Sequence, residues 1–347
     1  MINKQPKTVI FYHKNCQDGF MSALVHKVFV KVNALKPSDY EYVALNYGEE
    51  IKTDVKNCIV FMLDVTVKPE VFDGLLQQAL CIKVLDHHES AMKDYSDAFT
   101  ANSKDAIGPY KKLAAFKDCC LCEQNEEQTT YRGGVDPHYS EEQDYLLHPN
   151  RFFSVVFNHG GLSGATLALR EFKIHNESIS ERMKHLCTRI TDRDIWKFEY
   201  EDTKAVYEVV SGFQFDFEKA IDFIFNTSDD EFQTAIKEGA IRVKMRDELA
   251  AGYASKAETL NILGYDVPCV NVPSNISSYV GALLSVGKPF ALMYVLNSNE
   301  AFLSFRSNQE TGVDLIPIAK HFGGGGHKNA AGAHLSTEDF FRLIYKK

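Results

Sequence analysis

The segment Cys81-Ile82-Lys83-Val84-Leu85-Asp86-His87-His88 decides how this chain is read. Its first five residues form a short, mostly apolar run of the length of a buried strand. A carboxylate and two imidazoles follow at the strand's carboxyl end, where open α/β sheets bind their ligands. Burying such a cluster is costly unless a cation offsets it. Two further apolar runs end in the same way. Val9-Ile10-Phe11-Tyr12 leads into His13, with Asp18 and Gly19 close behind, and Ile59-Val60-Phe61-Met62-Leu63 leads into Asp64. Three strand ends delivering His and Asp to one rim point to a metal site built on a parallel sheet.

Between these runs lie segments of helical period. Gly19 to Val30 places Met21, Leu24, Val25, Val28 and Phe29 on one face, and Pro69 to Ala79 begins with proline in its first turn. Tyr42 to Leu45 reads as another strand. The alternation predicts an α/β fold, a parallel sheet with helices on both faces. The pattern breaks between about Ser90 and Phe152 and resumes at Ser154-Val155-Val156-Phe157, so residues 93–150 read as an insertion in a first domain spanning 1–202. Helices follow at about 163–172 and 180–190. Residues 203–257 read as a mostly helical linker region. Residues 258–347 alternate again, with strands at 267–272, 290–296 and 301–306, and form a second, smaller α/β domain.

The chain has 347 residues and a net charge of −9, distributed as −11 over residues 1–240 and +2 over the remainder. An acidic surface argues against gripping long duplex nucleic acid, while an acidic first part suits cation binding and a mildly basic last part suits an anionic substrate. No apolar stretch approaches the ~18–20 residues of a membrane span, and the amino terminus lacks the apolar core of a signal peptide. Eight cysteines in a chain of this length are too sparse for a disulfide scaffold. They read as reduced thiols of a cytoplasmic protein. Cys119, Cys120 and Cys122, with His138 and His148 downstream, fit no standard zinc spacing.

The ordered motifs carry a resemblance. His13-Lys14-Asn15-Cys16-Gln17-Asp18-Gly19, Leu63-Asp64-Val65-Thr66, Asp86-His87-His88 and Thr191-Asp192 resemble the four metal motifs of the DHH phosphoesterase superfamily, and Ser163-Gly164-Ala165 resembles a segment that the family places between the third and fourth. Near the other end, Gly323-Gly324-Gly325-Gly326-His327-Lys328-Asn329-Ala330-Ala331-Gly332 and Ser304-Phe305-Arg306-Ser307 are similar to the signature of the associated C-terminal domain. The likeness runs from His13 to Leu335. One departure stands out: many relatives carry an additional aspartate near the position of Cys16, which here either ligates metal or is a buried neighbour.

The resemblance implies a DHH catalytic domain and a C-terminal substrate-holding domain across a cleft. It implies two divalent cations, with Mn²⁺ suited to mixed nitrogen and oxygen ligands and Mg²⁺, Fe²⁺ or Co²⁺ as alternatives. His13 and Asp18 would each hold a metal, Asp64 would bridge both, and His87 and Asp192 would hold the second, with Asp194 as competitor to Asp192. Asp86 would orient an imidazole or reach a metal through water, and His88 would contact the scissile phosphate. Arg306, Gly324, Gly325, Gly326 and His327 would contact substrate phosphate or sugar. The implied activity is hydrolysis of short single-stranded oligonucleotides or dinucleotides to mononucleotides. The alternatives are a phosphomonoesterase of 3′-phosphoadenosine 5′-phosphate, a cyclic dinucleotide phosphodiesterase and an inactive nucleotide-binding sensor. Relatives often form homodimers. For Ser163-Gly164-Ala165 a plain helix N-cap is an equal reading.

Overall fold

A computed structural model describes residues 6–101, 119–124, 127–133, 152–308, 310 and 312–344. The chain divides into two compact units, Met1–Ala240 and Ile241–Lys347. Among the described residues no helix is long and apolar enough to cross a membrane.

In the first unit, strands β1 (Thr8–His13), β2 (Tyr40–Leu45), β3 (Ile59–Leu63), β4 (Cys81–Asp86), β5 (Cys119–Gln124), β6 (Gln128–Gly133) and β7 (Phe152–Asn158) form one sheet in the order β2-β1-β3-β4-β7-β6-β5. The pairs among β2, β1, β3, β4 and β7 are parallel, whereas β6 and β5 continue antiparallel. The helices of this unit are α1 (Gln17–Val32), α2 (Pro69–Leu76), α3 (Glu89–Ala101), α4 (Gly164–Glu171), α5 (Glu177–Asp194), α6 (Thr203–Ser211) and α7 (Phe217–Asn226), and α8 (Asp229–Ala254) runs on into the second unit.

The strands are apolar on both faces because both faces are covered. Ile10, Leu63, Leu85 and Val156 join the core under α1 and α4 to α7, while Val9, Phe11, Met62, Val84 and Val155 join the core with Phe72 of α2 and Tyr95 of α3. This is the strand alternation of period two working in opposite directions at adjacent residues. The strand order steps across β1 between β2 and β3, which makes the carboxyl ends of β1 and β3 the switch point of the sheet.

The segment after Ser90 departs from the expected insertion. Tyr95, Ala98 and Tyr131 are fully buried core residues, and β6 pairs with β7 along its whole length. This part of 93–150 therefore builds the sheet and its core. Cys119, Cys120 and Cys122 lie on β5, whereas His138 and His148 fall outside the described residues.

The second unit holds a sheet of order β12-β13-β11-β10-β9-β8, from β8 (Glu258–Ile262), β9 (Tyr265–Asn271), β10 (Ala291–Leu296), β11 (Glu300–Arg306), β12 (Gly325–His327) and β13 (Ala330–Ser336). Its helices are α9 (Ser274–Leu284), α10 (Leu315–His321) and α11 (Thr337–Ile344). Among the described strands of this unit only β9 and β10 pair in parallel. The glycine run enters an edge strand, β12. A Cβ on Gly324 would lie 2.0 Å from the Gly332 carbonyl oxygen, so this close approach requires glycine.

Candidate metal centre

Strands β1, β3 and β4 stand side by side in register, with Tyr12 opposite Leu63 and Leu63 opposite Leu85. The next residue of each strand is His13, Asp64 or Asp86, so these three emerge on one row at the carboxyl edge. Asp64 has a left-handed backbone, φ 59°, and its N–H donates to the Leu85 carbonyl oxygen at 2.8 Å. Aspartate tolerates that conformation better than most residues, and such strain gathers at functional sites.

Glycines bring the other elements in. A Cβ on Gly19 would meet the His13 carbonyl oxygen at 2.4 Å, and one on Gly164 would meet the Asp64 Cβ at 2.3 Å. The amino-terminal ends of α1 and α4 can therefore lie directly against β1 and β3, and Asp18 arrives beside Asp64. Ser163 does more than begin α4. Its hydroxyl donates to Asp18 Oδ1, to which the Ala165 N–H also donates at 3.1 Å. The Asp18 carboxylate is thereby fixed through one oxygen, leaving Oδ2 facing the cluster.

Asp64 sits between two imidazoles. Its Oδ2 is 3.5 Å from His13 Nδ1 and its Oδ1 is 3.1 Å from His87 Nε2. His87 Nε2 also lies 3.3 Å from Asp194 Oδ2 and 3.9 Å from Asp18 Oδ2. Two groups of donor atoms result, His13 with Asp64 and His88, and Asp18 with His87 and Asp194, each within 4.8 Å. Neither includes Cys16, the N-cap of α1. Buried atoms without a hydrogen bond concentrate here: His13 Nδ1, Asp18 Oδ2, both Asp64 oxygens and Asp86 Oδ2. Native proteins seldom leave such atoms unpaired unless something else fills the role. Converging lone pairs from carboxylates and imidazoles fit divalent cations.

The protonation pattern agrees. Burial pushes the Asp18 carboxyl well above its usual range, helped by the charges of Asp64 and Asp194, and burial likewise raises Asp194. Burial would raise Asp64 too, but its contacts with His13 and His87 outweigh this and hold it well below the usual carboxylate range. For His87, burial favours the neutral ring, yet Asp64, Asp18 and Asp194 push it up to about 10. The surrounding carboxylates thus favour positive charge at His87, of the sign that a cation would bring.

Asp86, the third member of the row, acts on the two histidines that follow it. Its Oδ1 accepts from the backbone N–H groups of His87 and His88 at 2.7 and 3.2 Å and meets His88 Nδ1 at 2.6 Å. This orients the His88 ring, and with Nδ1 engaged it is Nε2 that is available to a ligand.

The two aspartates near the end of α5 face different partners. Asp192 is buried, but its carboxylate accepts from the N–H groups of Glu199 and Tyr200 and from the Thr203 hydroxyl. Asp194 is the residue that faces His87. Asp194 lies four residues beyond Ile190 and seven beyond Cys187, so it shares their helical phase although it is the more exposed of the two aspartates. In the second unit Arg306 pairs with Ala330 across β11 and β13, and His327 pairs with Ala330 across β12 and β13. The Arg306 guanidinium donates to the Phe305 carbonyl oxygen at 2.8 Å and to Ser278 Oγ at 2.9 Å. Gly324 precedes β12, and Gly325 and Gly326 lie within it.

No protein-family model matches the chain. Over 355 residues it is 23% identical to the uncharacterized protein R106 of Acanthamoeba polyphaga mimivirus, covering 97% of this chain and 69% of that one. Among solved structures, a DHH domain described as belonging to a family of ribosomal proteins matches with a TM-score of 0.56 and 13% identity, over 98% of this chain and 86% of the other. A pGpG-specific phosphodiesterase, PggH of Vibrio cholerae, gives a TM-score of 0.47 with 10% identity over 97% of this chain and 96% of its own. RecJ from Thermus thermophilus, solved with Mn²⁺, gives 0.47 with 13% identity over 98% of this chain and 51% of RecJ. With the sheet, the two units and the motif order described above, this chain has the fold of the DHH-domain proteins.

Proposed function

We propose that the protein is a metal-dependent phosphoesterase that hydrolyses short single-stranded oligonucleotides or dinucleotides to mononucleotides. The observation that carries this reading is the Asp64 carboxylate, buried, without a hydrogen bond at either oxygen, and facing an imidazole on each side. That is the disposition of a bridging ligand. His13, Asp64 and His88 would hold one divalent cation, and Asp18, His87 and Asp194 the other, with Mn²⁺ suited to the mixed donor set. Such a pair supplies an activated water nucleophile and neutralises the charge that develops on the transferred phosphoryl group.

The chain's own residues arrange what surrounds that chemistry. Ser163 and the Ala165 N–H hold one Asp18 oxygen and turn the other toward His87. Asp86 fixes the His88 ring through Nδ1, so that Nε2 can serve a metal or donate to a non-bridging phosphate oxygen. The acidic charge balance favours short substrates over long polymers.

The test is a matched panel incubated with Mn²⁺: RNA and DNA from dinucleotides to twenty-mers, cyclic dinucleotides and 3′-phosphoadenosine 5′-phosphate. Mononucleotide release, fastest from the shortest RNA, is expected. Orthophosphate released only from the bisphosphate would replace this reading with a phosphomonoesterase. No turnover by protein shown calorimetrically to bind Mn²⁺ would replace it with a nucleotide sensor.

A further inference from the structure

The buried Asp192 carboxylate raises a separate question, because it organises a loop immediately beyond the metal cluster. Its two oxygens accept the N–H groups of Glu199 at 2.9 Å and Tyr200 at 3.3 Å as well as the Thr203 hydroxyl. Its backbone carbonyl accepts the Lys197 N–H at 2.9 Å. Residues 195–200 are thus wrapped around one side chain that is 4% exposed. The wrapping imposes left-handed backbone on two aromatic residues, Trp196 at φ 62° and Phe198 at φ 55°. Bulky side chains seldom adopt that conformation, and it persists only where surrounding bonds enforce it.

The loop holds Trp196 in the open. Trp196 is 39% exposed although Arg193 lies over its ring at 4.7 Å and the Phe198 ring meets it at 5.0 Å, nearly perpendicular. Arg193 in turn lies 4.6 Å from the Tyr207 ring, which props the stack from behind. Two anchors place the loop on the rim of the metal cluster. At one end, Trp196 is two residues from Asp194, whose carboxylate is 3.3 Å from His87. On the other side, a Cβ on Gly161 would lie 3.3 Å from Lys197 Nζ, and Gly161 shortly precedes the Gly164 that packs on Asp64. A rigid, exposed aromatic ring interleaved with basic residues, at the mouth of a site for phosphate chemistry, is how proteins stack unpaired bases.

We infer that the loop 195–200 is a nucleobase-stacking platform, in which Trp196 meets a base of the substrate and Asp192 is the residue that positions it. The inference rests on the phosphoesterase reading for the identity of the substrate, but its test stands apart from turnover. Trp196 is the only tryptophan of the chain, so its emission reports on this ring alone. Wild-type protein is titrated with AMP and with ribose 5-phosphate, which share the sugar and phosphate and differ by the base. Quenching by AMP and not by ribose 5-phosphate is expected. Equal quenching by both, or none by AMP at millimolar concentration, overturns the inference whether or not any substrate is hydrolysed. For dinucleotide hydrolysis, Trp196→Ala is expected to raise KM roughly ten-fold with a smaller change in kcat, and Trp196→Phe to recover most of that loss. Asp192→Asn, with the ring intact, is expected to shift the tryptophan emission and raise KM in the same direction. A wild-type KM in Trp196→Ala would sink the platform and leave the phosphoesterase reading standing.

Discussion

The rim around Asp64 and the edge strand β12 are assembled by the same device and finish in opposite states. In both, glycine lets backbone press on backbone: Gly19 and Gly164 against β1 and Asp64, Gly324 and Gly326 against β13. Around Asp64 the approach leaves polar atoms converging without hydrogen bonds. Around β12 the neighbouring polar groups find partners. Asn329 Nδ2 donates to Ser307 Oγ at 2.9 Å and to the Asn308 carbonyl oxygen at 3.0 Å, and Arg306 is engaged with Phe305 and Ser278. Close packing by glycine therefore does not itself mark a ligand site. What distinguishes the rim is the residue of unsatisfied chemistry left after packing is complete.

The contrast breaks most visibly at Asp64. Asp64→Asn is expected to lower turnover at least about 10²–10³-fold, because it removes the carboxylate that would hold the cations. Because His13 and His87 stabilise the ionised Asp64 side chain in the fold, the metal-free variant is expected to melt below wild type. Its Tm should no longer rise on adding Mn²⁺, as ligand linkage requires of the wild-type protein. A preserved metal-induced rise would mean that Asp64 is not a ligand.

The next largest effect separates two neighbouring aspartates. Asp194→Asn is expected to weaken Mn²⁺ binding about 10–100-fold by titration calorimetry, and Asp192→Asn to weaken it far less. The reverse order would return the ligand role to Asp192. The glycines then compare the two units directly. Gly164→Ala and Gly324→Ala should each cost about 1–3 kcal/mol of stability from forced displacement, measured by urea denaturation. Only Gly164→Ala should also lose Mn²⁺ affinity, since its new methyl group pushes on Asp64.

The smallest effect concerns a second buried histidine of the same unit. His26 packs against Phe172 with its Nδ1 2.7 Å from the Tyr42 hydroxyl, and burial pushes it down to about 3, opposite in direction to His87. Folded protein thus binds fewer protons at this site than unfolded chain between about pH 6.5 and 3. Stability should be present above the unfolded value and fall with acid across that window, by at most about 1.4 kcal/mol per pH unit from this group. His26→Phe should flatten that part of the urea-midpoint profile relative to wild type; an unchanged slope would remove His26 as its source.

The apolar runs ending in His13, Asp64 and Asp86 were legible in the sequence because strand length and burial on both faces leave a simple pattern. The ligand row follows from those ends. Asp194 was obscured by motif position, which counts residues, whereas the cluster depends on the rotational phase of α5. Strand β12 was hidden by its composition, since glycine has little intrinsic preference for strands and is held there by its neighbour β13. Strands β5 and β6 were masked by the polar residues Glu123, Gln124, Gln128, Thr129 and Thr130, which pair at the far side of the sheet. Ser163 could be read as a cap, but its bond to Asp18 joins residues 145 apart and has no local signature.

The common register of β1, β3 and β4 also fixes how this chain can change. Apolar side chains along those strands can be exchanged for others of similar volume while the row of His13, Asp64 and Asp86 stays level. Inserting or deleting one residue inside any of the three strands would turn its terminal site residue to the opposite face of the sheet and shift it by one rung. Divergence is therefore expected to accumulate as substitutions within these strands and as length changes only in the segments that join them.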